Sequence, residues 1–162
     1  MGRTLTYSVS GSAISAAADL FELVAGTQES FKLKEIVLGQ TTDYGDAAAE
    51  GLQLLIKRAS GSYTSGSGGS TITAGNAARL DRTADGDPDN TAETGNTTQA
   101  SAGSGALQTL RAEGFNIQVG YQYLPPPSDQ YRFGPAEALV ISLSAPSDSI
   151  TWNYTVVLEV DG

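Results

Sequence analysis

The stretch ITWNYTVVLEV, residues 150–160, decides the fold class of this chain. Apolar residues occupy every second position of it: Ile150, Trp152, Tyr154, Val156, Leu158 and Val160. Polar residues fill the positions between them, with Val157 as the exception. A period of two residues places the apolar side chains on one face, which predicts a long, half-buried β-strand.

A second alternating segment, LVISL at residues 139–143, precedes this strand. Between them lies APSDS, residues 145–149, which is rich in turn-forming residues. We therefore predict that residues 137–160 form an antiparallel hairpin.

Weaker alternation predicts further strands at residues 4–9, 13–24, 31–38, 52–57 and 115–123. Residues 13–24 also fit one face of a helix, and we favour a strand because the neighbouring segments are all β. The last of these strands contains Gly120, at an expected bulge, and ends at Pro125-Pro126-Pro127. Residues 46–51 are expected to form a short helical turn with Asp46 as its N-cap. The pattern predicts an all-β chain: one antiparallel β-sandwich or jelly-roll-like domain over residues 1–162, with about seven to eight strands.

Residues 60–105 form a long excursion of different composition. They hold nine of the 19 glycines and only three large apolar residues, Tyr63, Ile72 and Leu80. Such a segment buries too little apolar surface to order itself alone. We therefore expect a long loop or arm that a neighbouring subunit orders, so that deleting residues 61–103 leaves a folded but weakly assembling domain.

The composition excludes several classes of function. The 162 residues include 18 acidic and nine basic side chains, for a formal net charge of -9, and no His or Cys. Catalysis by Ser-His-Asp or Cys-His groups, metal sites built from His or Cys, and disulfides are therefore absent. The basic residues are scattered and form no stripe, so we expect no nucleic-acid partner. No apolar run approaches the roughly 18 residues of a membrane span, and we expect neither a membrane partner nor a secretory signal.

Asp85, Asp87 and Asp89 place three carboxylates at alternate positions, an arrangement that calcium favours. An EF-hand loop, however, needs Gly at its sixth position and Glu at its twelfth, where this chain has Asn90 and Asn96. We interpret the segment as an acidic, solvated turn and expect no metal and no cofactor. The glycine-rich residues 66–71 lack the Lys of a phosphate-binding loop and are typical of a flexible linker.

An aromatic and proline cluster extends over residues 121–133. It could anchor a protein interface or stack on sugar rings, or it could be core next to a rigid polyproline turn. Together with the large apolar residues of the excursion, the interface candidates are Tyr63, Ile72, Leu80, Tyr121, Tyr123, Pro125, Pro126, Pro127 and Tyr131. A carbohydrate-binding β-sandwich, such as an adhesin or a phage receptor-binding module, would use Tyr121, Tyr123 and Trp152, although alternation assigns Trp152 to the core. The spacing of Glu113, Asp129 and Glu137 does not recommend a glycosidase pair, and we expect no catalytic residue and no enzymatic activity.

The order of segments along the whole chain also resembles a class of viral proteins. The segments are DLFEL (19–23), IVLGQ (36–40), DYGDAA (43–48), LLIKR (54–58), NTTQA (96–100), EGFN (113–116) and GYQYLP (120–125). In this order, and with the closing hairpin, they are similar to the small β-sandwich decoration, or cement, proteins of tailed bacteriophage capsids. The resemblance implies a non-enzymatic virion protein, a homotrimer made in the host cytoplasm. It would bind the major capsid protein on the outer surface of the shell and stabilise it.

Overall fold

A computed structural model describes residues 3–42, 50–72, 77–79 and 90–161, with the backbone alone for residues 77–79. The strands are β1 (Arg3–Ile14), β2 (Ala18–Val24), β3 (Ser30–Gln40), β4 (Gly51–Ser60), β5 (Ser70–Ile72), β6 (Ala77–Arg79), β7 (Thr91–Asn96), β8 (Ala106–Asn116), β9 (Tyr121–Tyr123), β10 (Arg132–Phe133), β11 (Ala138–Leu143) and β12 (Ile150–Asp161). One 3-10 turn, Pro127–Asp129, precedes β10.

These strands form two antiparallel sheets that enclose the core. The first sheet has the order β10-β3-β12-β1-β6, with β9 also paired to β3, and the second has the order β5-β7-β2-β11-β4-β8. Strands β1 to β4 alternate between the first and the second sheet. β8 pairs with β4 in the second sheet. The chain then alternates again, with β9 in the first sheet, β11 in the second and β12 in the first. This connectivity is that of an eight-stranded jelly roll, to which β5, β6, β7 and β10 are added. The predicted all-β sandwich class is confirmed.

The C-terminal strand has the position that its alternation predicts. β12 lies between β1 and β3 in the first sheet, and its six alternating apolar residues are at most 3% exposed. Across the sandwich, the Phe21 ring on β2 lies 5.5 Å from that of Tyr7 on β1 and 6.4 Å from that of Tyr154 on β12. Burial of these rings joins the two sheets into one hydrophobic core.

The predicted hairpin over residues 137–160 is wrong. β11 pairs with β2 and β4, whereas β12 pairs with β1 and β3, so the turn-rich linker crosses from one sheet to the other. All six residues of β11 are buried, on both of its faces. A strand of this kind needs a partner on each side and cover above and below, which the middle of the second sheet provides.

The predicted strand over residues 115–123 is also wrong, because it is two strands in different sheets. β8 ends at Asn116, whose side-chain and backbone oxygens accept hydrogen bonds from Gln118 N and Gly120 N. Gly120 has φ +76°, and a Cβ there would lie 2.5 Å from Leu38 O. The turn therefore requires glycine, and it leaves Val119 86% exposed.

The strand favoured within residues 13–24 is confirmed in part, since β1 ends at Ile14 and β2 begins at Ala18. Of the predicted helical turn at residues 46–51, residues 46–49 lie outside the described part of the chain, and Gly51 opens β4.

The excursion differs from the expected arm. β7 pairs with β2, β5 pairs with β7, and β6 pairs with β1, so the excursion extends both sheets at the same side of the sandwich. Its loops also cover the outer face of the second sheet, where Tyr63, Ala100 and Leu107 pack with Ala138 and Val140. The described part of the excursion thus pairs with strands of its own chain.

Candidate functional site

Two buried carboxylates on β2 hold the excursion against the second sheet. The Glu22 side chain accepts hydrogen bonds from Tyr63 Oη (2.8 Å), Ser65 Oγ (2.6 Å), Gly66 N (3.0 Å) and Asn96 Nδ2 (3.3 Å). Glu22 is 2% exposed although it lies on the outer face of the sheet, because the excursion covers it. A buried carboxylate requires such a set of donors to offset its lost hydration.

Asp19 holds the second half of the excursion against the second sheet. Its carboxylate accepts hydrogen bonds from Ala100 N and Ser142 Oγ, both at 2.5 Å, and the residue is fully buried. Burial raises the pKa of Asp19 above its usual value, and the two hydrogen bonds and Lys57 oppose this. Burial and the hydrogen bond to Glu22 likewise raise the pKa of Tyr63, so its hydroxyl remains a donor at neutral pH. We call Asp19, Glu22 and their donors the carboxylate clasp.

A groove opens at the opposite side of the sandwich, where β8 meets β9 and the loop that follows it. The groove has a volume of about 640 Å³ and is lined chiefly by Arg111, Tyr123, Leu124, Pro126, Asp129 and Tyr131. We call it the tyrosine groove. Its volume lies within the roughly 300–1,000 Å³ that small-molecule sites occupy.

Stacking and charge fix the inner wall of the tyrosine groove. The rings of Tyr123 and Tyr131 stack at 5.9 Å with planes 6° apart, and the Arg111 guanidinium lies 5.3 Å from the Tyr123 ring centre. Arg111 also forms an ion pair with Glu113 on the same strand. Tyr131 Oη donates to Leu110 O on β8 at 3.1 Å, which ties the loop to that strand. Leu124 is 65% exposed at the rim.

The hydroxyl groups of Tyr121 and Tyr123 are buried. That of Tyr121 lies beside the side chains of Glu113 and Arg111, and that of Tyr123 lies beside the backbone N–H of Tyr131. No described residue accepts a hydrogen bond from the Tyr123 O–H. Burial raises the pKa of Tyr123 to about 12, and Tyr131 and Asp129 add to the increase. Burial also raises the pKa of Tyr121 to about 12, with a further contribution from Glu113. Both hydroxyls are therefore protonated at neutral pH. Only that of Tyr123 belongs to a residue lining the tyrosine groove.

The predicted interface residues do not form one surface. Ile72, Tyr121 and Tyr123 are buried, Tyr63 belongs to the carboxylate clasp, and Leu80 lies outside the described residues. Four candidates remain near the surface: Pro125 and Tyr131 are half-buried, and Pro126 and Pro127 are exposed. Of these, Pro125, Pro126 and Tyr131 line the tyrosine groove. The aromatic cluster is therefore partly core and partly groove wall.

Other predicted site residues have structural roles or lie outside the described ranges. Trp152 is fully buried, as its alternation indicates, and offers no surface to a sugar. Glu137 accepts a hydrogen bond from Gly134 N and lies 3.6 Å from Arg58 Nε. The calcium candidates Asp85, Asp87 and Asp89 fall in the part of the chain that is not described.

The second sheet also ends in a long edge strand. β8 has 11 residues, most of them exposed, and among the described strands none pairs with its outer edge. The register with β4 shifts between Ile56 and Lys57, so Leu110 forms a bulge that divides β8. Beyond the bulge, Ala112 and Gly114 place two small residues on one face of β8.

Sequence reasoning missed Asp19, Glu22, Arg111 and Leu124. The available signal for the first two is that DLFEL places acidic residues in a strand that is otherwise apolar. Charged residues at such positions are buried only when they are paired, so they indicate a covering segment with donors. No comparable signal marks Arg111 or Leu124, because their neighbours in space come from distant parts of the chain.

Comparison with known proteins leaves the family open. No protein-family model matches the chain, and no curated protein matches it significantly in sequence. Within the described ranges, no helix is long and apolar enough to span a membrane. The same residues include no group of three or more acidic side chains placed to share a metal ion.

Proposed function

We propose that this chain is a non-enzymatic structural protein of a virion. It binds the major capsid protein on the outside of a phage capsid, as a homotrimer, and stabilises the shell as a decoration protein. The observation that carries the proposal is the long outer edge of β8, which no described strand pairs, on a jelly roll whose other described edge strands are short. Jelly rolls are frequent among viral capsid proteins. This frequency supports a capsid role by analogy between folds.

The free edge supplies a means of assembly. An edge strand presents unpaired N–H and C=O groups, which another chain can extend by strand addition. The other terminal strands of the two sheets, β5, β6, β9 and β10, have at most three residues each. β8 is therefore the edge with enough length for a stable contact.

The surface charge favours the outer side of a shell. A formal net charge of -9 disfavours contact with packaged nucleic acid, because binding to phosphates requires clustered Lys and Arg. Repulsion between acidic copies also keeps the free protein soluble. On a shell, many weak contacts reinforce one another, so a modest single interface is sufficient.

Light scattering coupled to size exclusion tests the assembly. We expect a particle near 50 kDa, about three times the 16.7 kDa chain mass. Ala112→Lys places a charge on the free edge and should shift the particle toward monomer. Ala13→Lys, the same substitution at an exposed position of β1 in the first sheet, is the matched control and should leave the trimer intact.

Immunogold labelling of purified phage particles that encode the chain tests its place of action. We expect label on the outer surface of intact capsids, at regular positions. Label on tails alone would contradict the decoration role. A monomer that also fails to sediment with empty shells would contradict the whole proposal.

A further inference from the structure

We propose that the tyrosine groove is a binding site for a neutral saccharide ring, with Tyr123 and Asp129 as its hydrogen-bonding residues. This inference goes beyond the capsid role, since it assigns a small-molecule ligand to a surface that shell binding does not require. It depends on the chemistry of the groove and not on the free edge of β8.

The first observation is the buried hydroxyl of Tyr123, whose O–H has no acceptor among the described residues. A buried hydroxyl without a partner costs free energy, so native proteins rarely retain one unless something else uses it. Tyr123 is 4% exposed, and the Arg111 guanidinium lies over its ring. Arginine side chains are long and flexible, and that of Arg111 is 41% exposed. Displacement of Arg111 by a ligand would therefore give access to the Tyr123 hydroxyl.

The charges of the groove select against anions. Among the described residues that line the groove, Arg111 is the one cation; it is already paired with Glu113, and Asp129 adds a further negative charge. Asp129 is exposed, and its Oδ1 accepts a hydrogen bond from Ser128 Oγ at 2.9 Å. Its carboxylate retains capacity for ligand hydroxyls, because an ionised carboxylate has about four acceptor sites. A neutral ligand rich in hydroxyl groups fits this set of donors and acceptors.

The rim supplies the apolar part of the site. Leu124 and Pro126 are exposed and stand beside the polar groups, so the C–H face of a sugar ring can lie against them. Pro125 and Pro126 restrict the backbone, and the hydrogen bond from Tyr131 to Leu110 O fixes the loop. A rigid site loses less conformational entropy when it binds a ligand.

NMR titration of the ¹⁵N-labelled full chain tests the proposal, with the methyl α-pyranosides of glucose, mannose and galactose as probes. At millimolar concentrations, we expect at least one of them to shift amide signals in residues 120–131 and near Arg111. Tyr123→Phe should weaken binding about 3- to 10-fold, as expected for one neutral hydrogen bond, and Asp129→Asn about tenfold or more.

Tyr121→Phe is the matched control, since it removes a second buried hydroxyl from a residue that does not line the groove. Tyr123→Phe should fold at least as well as the native chain, because the Tyr123 O–H has no acceptor to lose. Tyr121→Phe should stay folded, because its ring keeps its packing against Phe115. Equal loss of binding in the two variants would overturn the assignment, as would amide shifts confined to another surface or no shift with any probe. Binding of inorganic phosphate in place of the sugars would overturn the charge argument. None of these results depends on Ala112, so failure here is distinguishable from failure of the capsid proposal.

Discussion

Removal of the Glu22 carboxylate is the most direct test of how the excursion is held. Four donors converge on it, and two of them belong to residues near solvent, Tyr63 and Ser65, which can bind water instead. Gly66 N is buried and loses its acceptor, and an orphaned buried donor costs about 1–3 kcal/mol, whereas Asn96 Nδ2 keeps its hydrogen bond to Glu93 Oε2. We therefore expect Glu22→Ala to lower the free energy of unfolding by about 1–3 kcal/mol, a sizeable part of the ~5–15 kcal/mol of a typical domain.

Glu22→Gln should cost less, about 1 kcal/mol. Its amide oxygen can still accept from Gly66 N, and its new N–H groups can donate to the hydroxyls of Tyr63 and Ser65. The control is Glu35→Ala on the first sheet, whose partner Gln122 is exposed, and it should stay within about 0.5 kcal/mol of the native chain.

Urea unfolding followed by the fluorescence of the single Trp, Trp152, measures these differences, because that side chain is fully buried. Hydrogen exchange at residues 61–67 should rise in Glu22→Ala before the rest of the chain opens. Equal stability of Glu22→Ala and Glu35→Ala would refute the reasoning, as would unchanged exchange at residues 61–67.

Three further predictions concern the clasp, the turn and the excursion. The raised pKa of Asp19 means that the folded state favours its protonated form, so its contribution to stability is lost as the pH rises from about 4 through the folded pKa. The stability of Asp19→Asn relative to the native chain should therefore increase over that range in urea titrations, and a decrease would contradict the burial effect. Gly120→Ala should cost about 2–3 kcal/mol in thermal unfolding, because φ is +76° and the new Cβ would meet Leu38 O. Deletion of residues 61–103 should abolish the fold by circular dichroism, and a folded deletion variant would restore the prediction of an intersubunit arm.

Many strands of this chain can be predicted from its sequence, because apolar and polar residues alternate in a strand that is buried on one face. β12 was predicted from its period of two, and it carries that period because its outer face meets solvent. β11 shows why the pairing was not predictable: a strand buried on both faces has no polar face to indicate its partners. The split between β8 and β9 was predictable from turn chemistry, since Asn116 and Gly120 are both turn-forming residues.

Apolar content alone underestimates the order of the excursion. Its glycines and serines bury little hydrophobic area, but they place backbone and hydroxyl donors close to Asp19 and Glu22. The missing apolar contacts are replaced by charge-assisted hydrogen bonds, which are about twice as strong as neutral ones. These bonds join residues 41 to 81 positions apart, so no local pattern contains both partners.

The two sides of the sandwich differ in a way that bears on function. At the β1 and β2 side, the excursion extends the first sheet by β6 and the second by β7 and β5, and the clasp binds it in place. At the β8 and β9 side, the edge of β8 is unpaired among the described strands, and the Tyr123 O–H has no acceptor among the described residues. Unsatisfied backbone and side-chain groups are retained against their free-energy cost where a partner completes them. The proposed subunit contact and the proposed saccharide site therefore lie on the same side of the molecule, for the same physical reason.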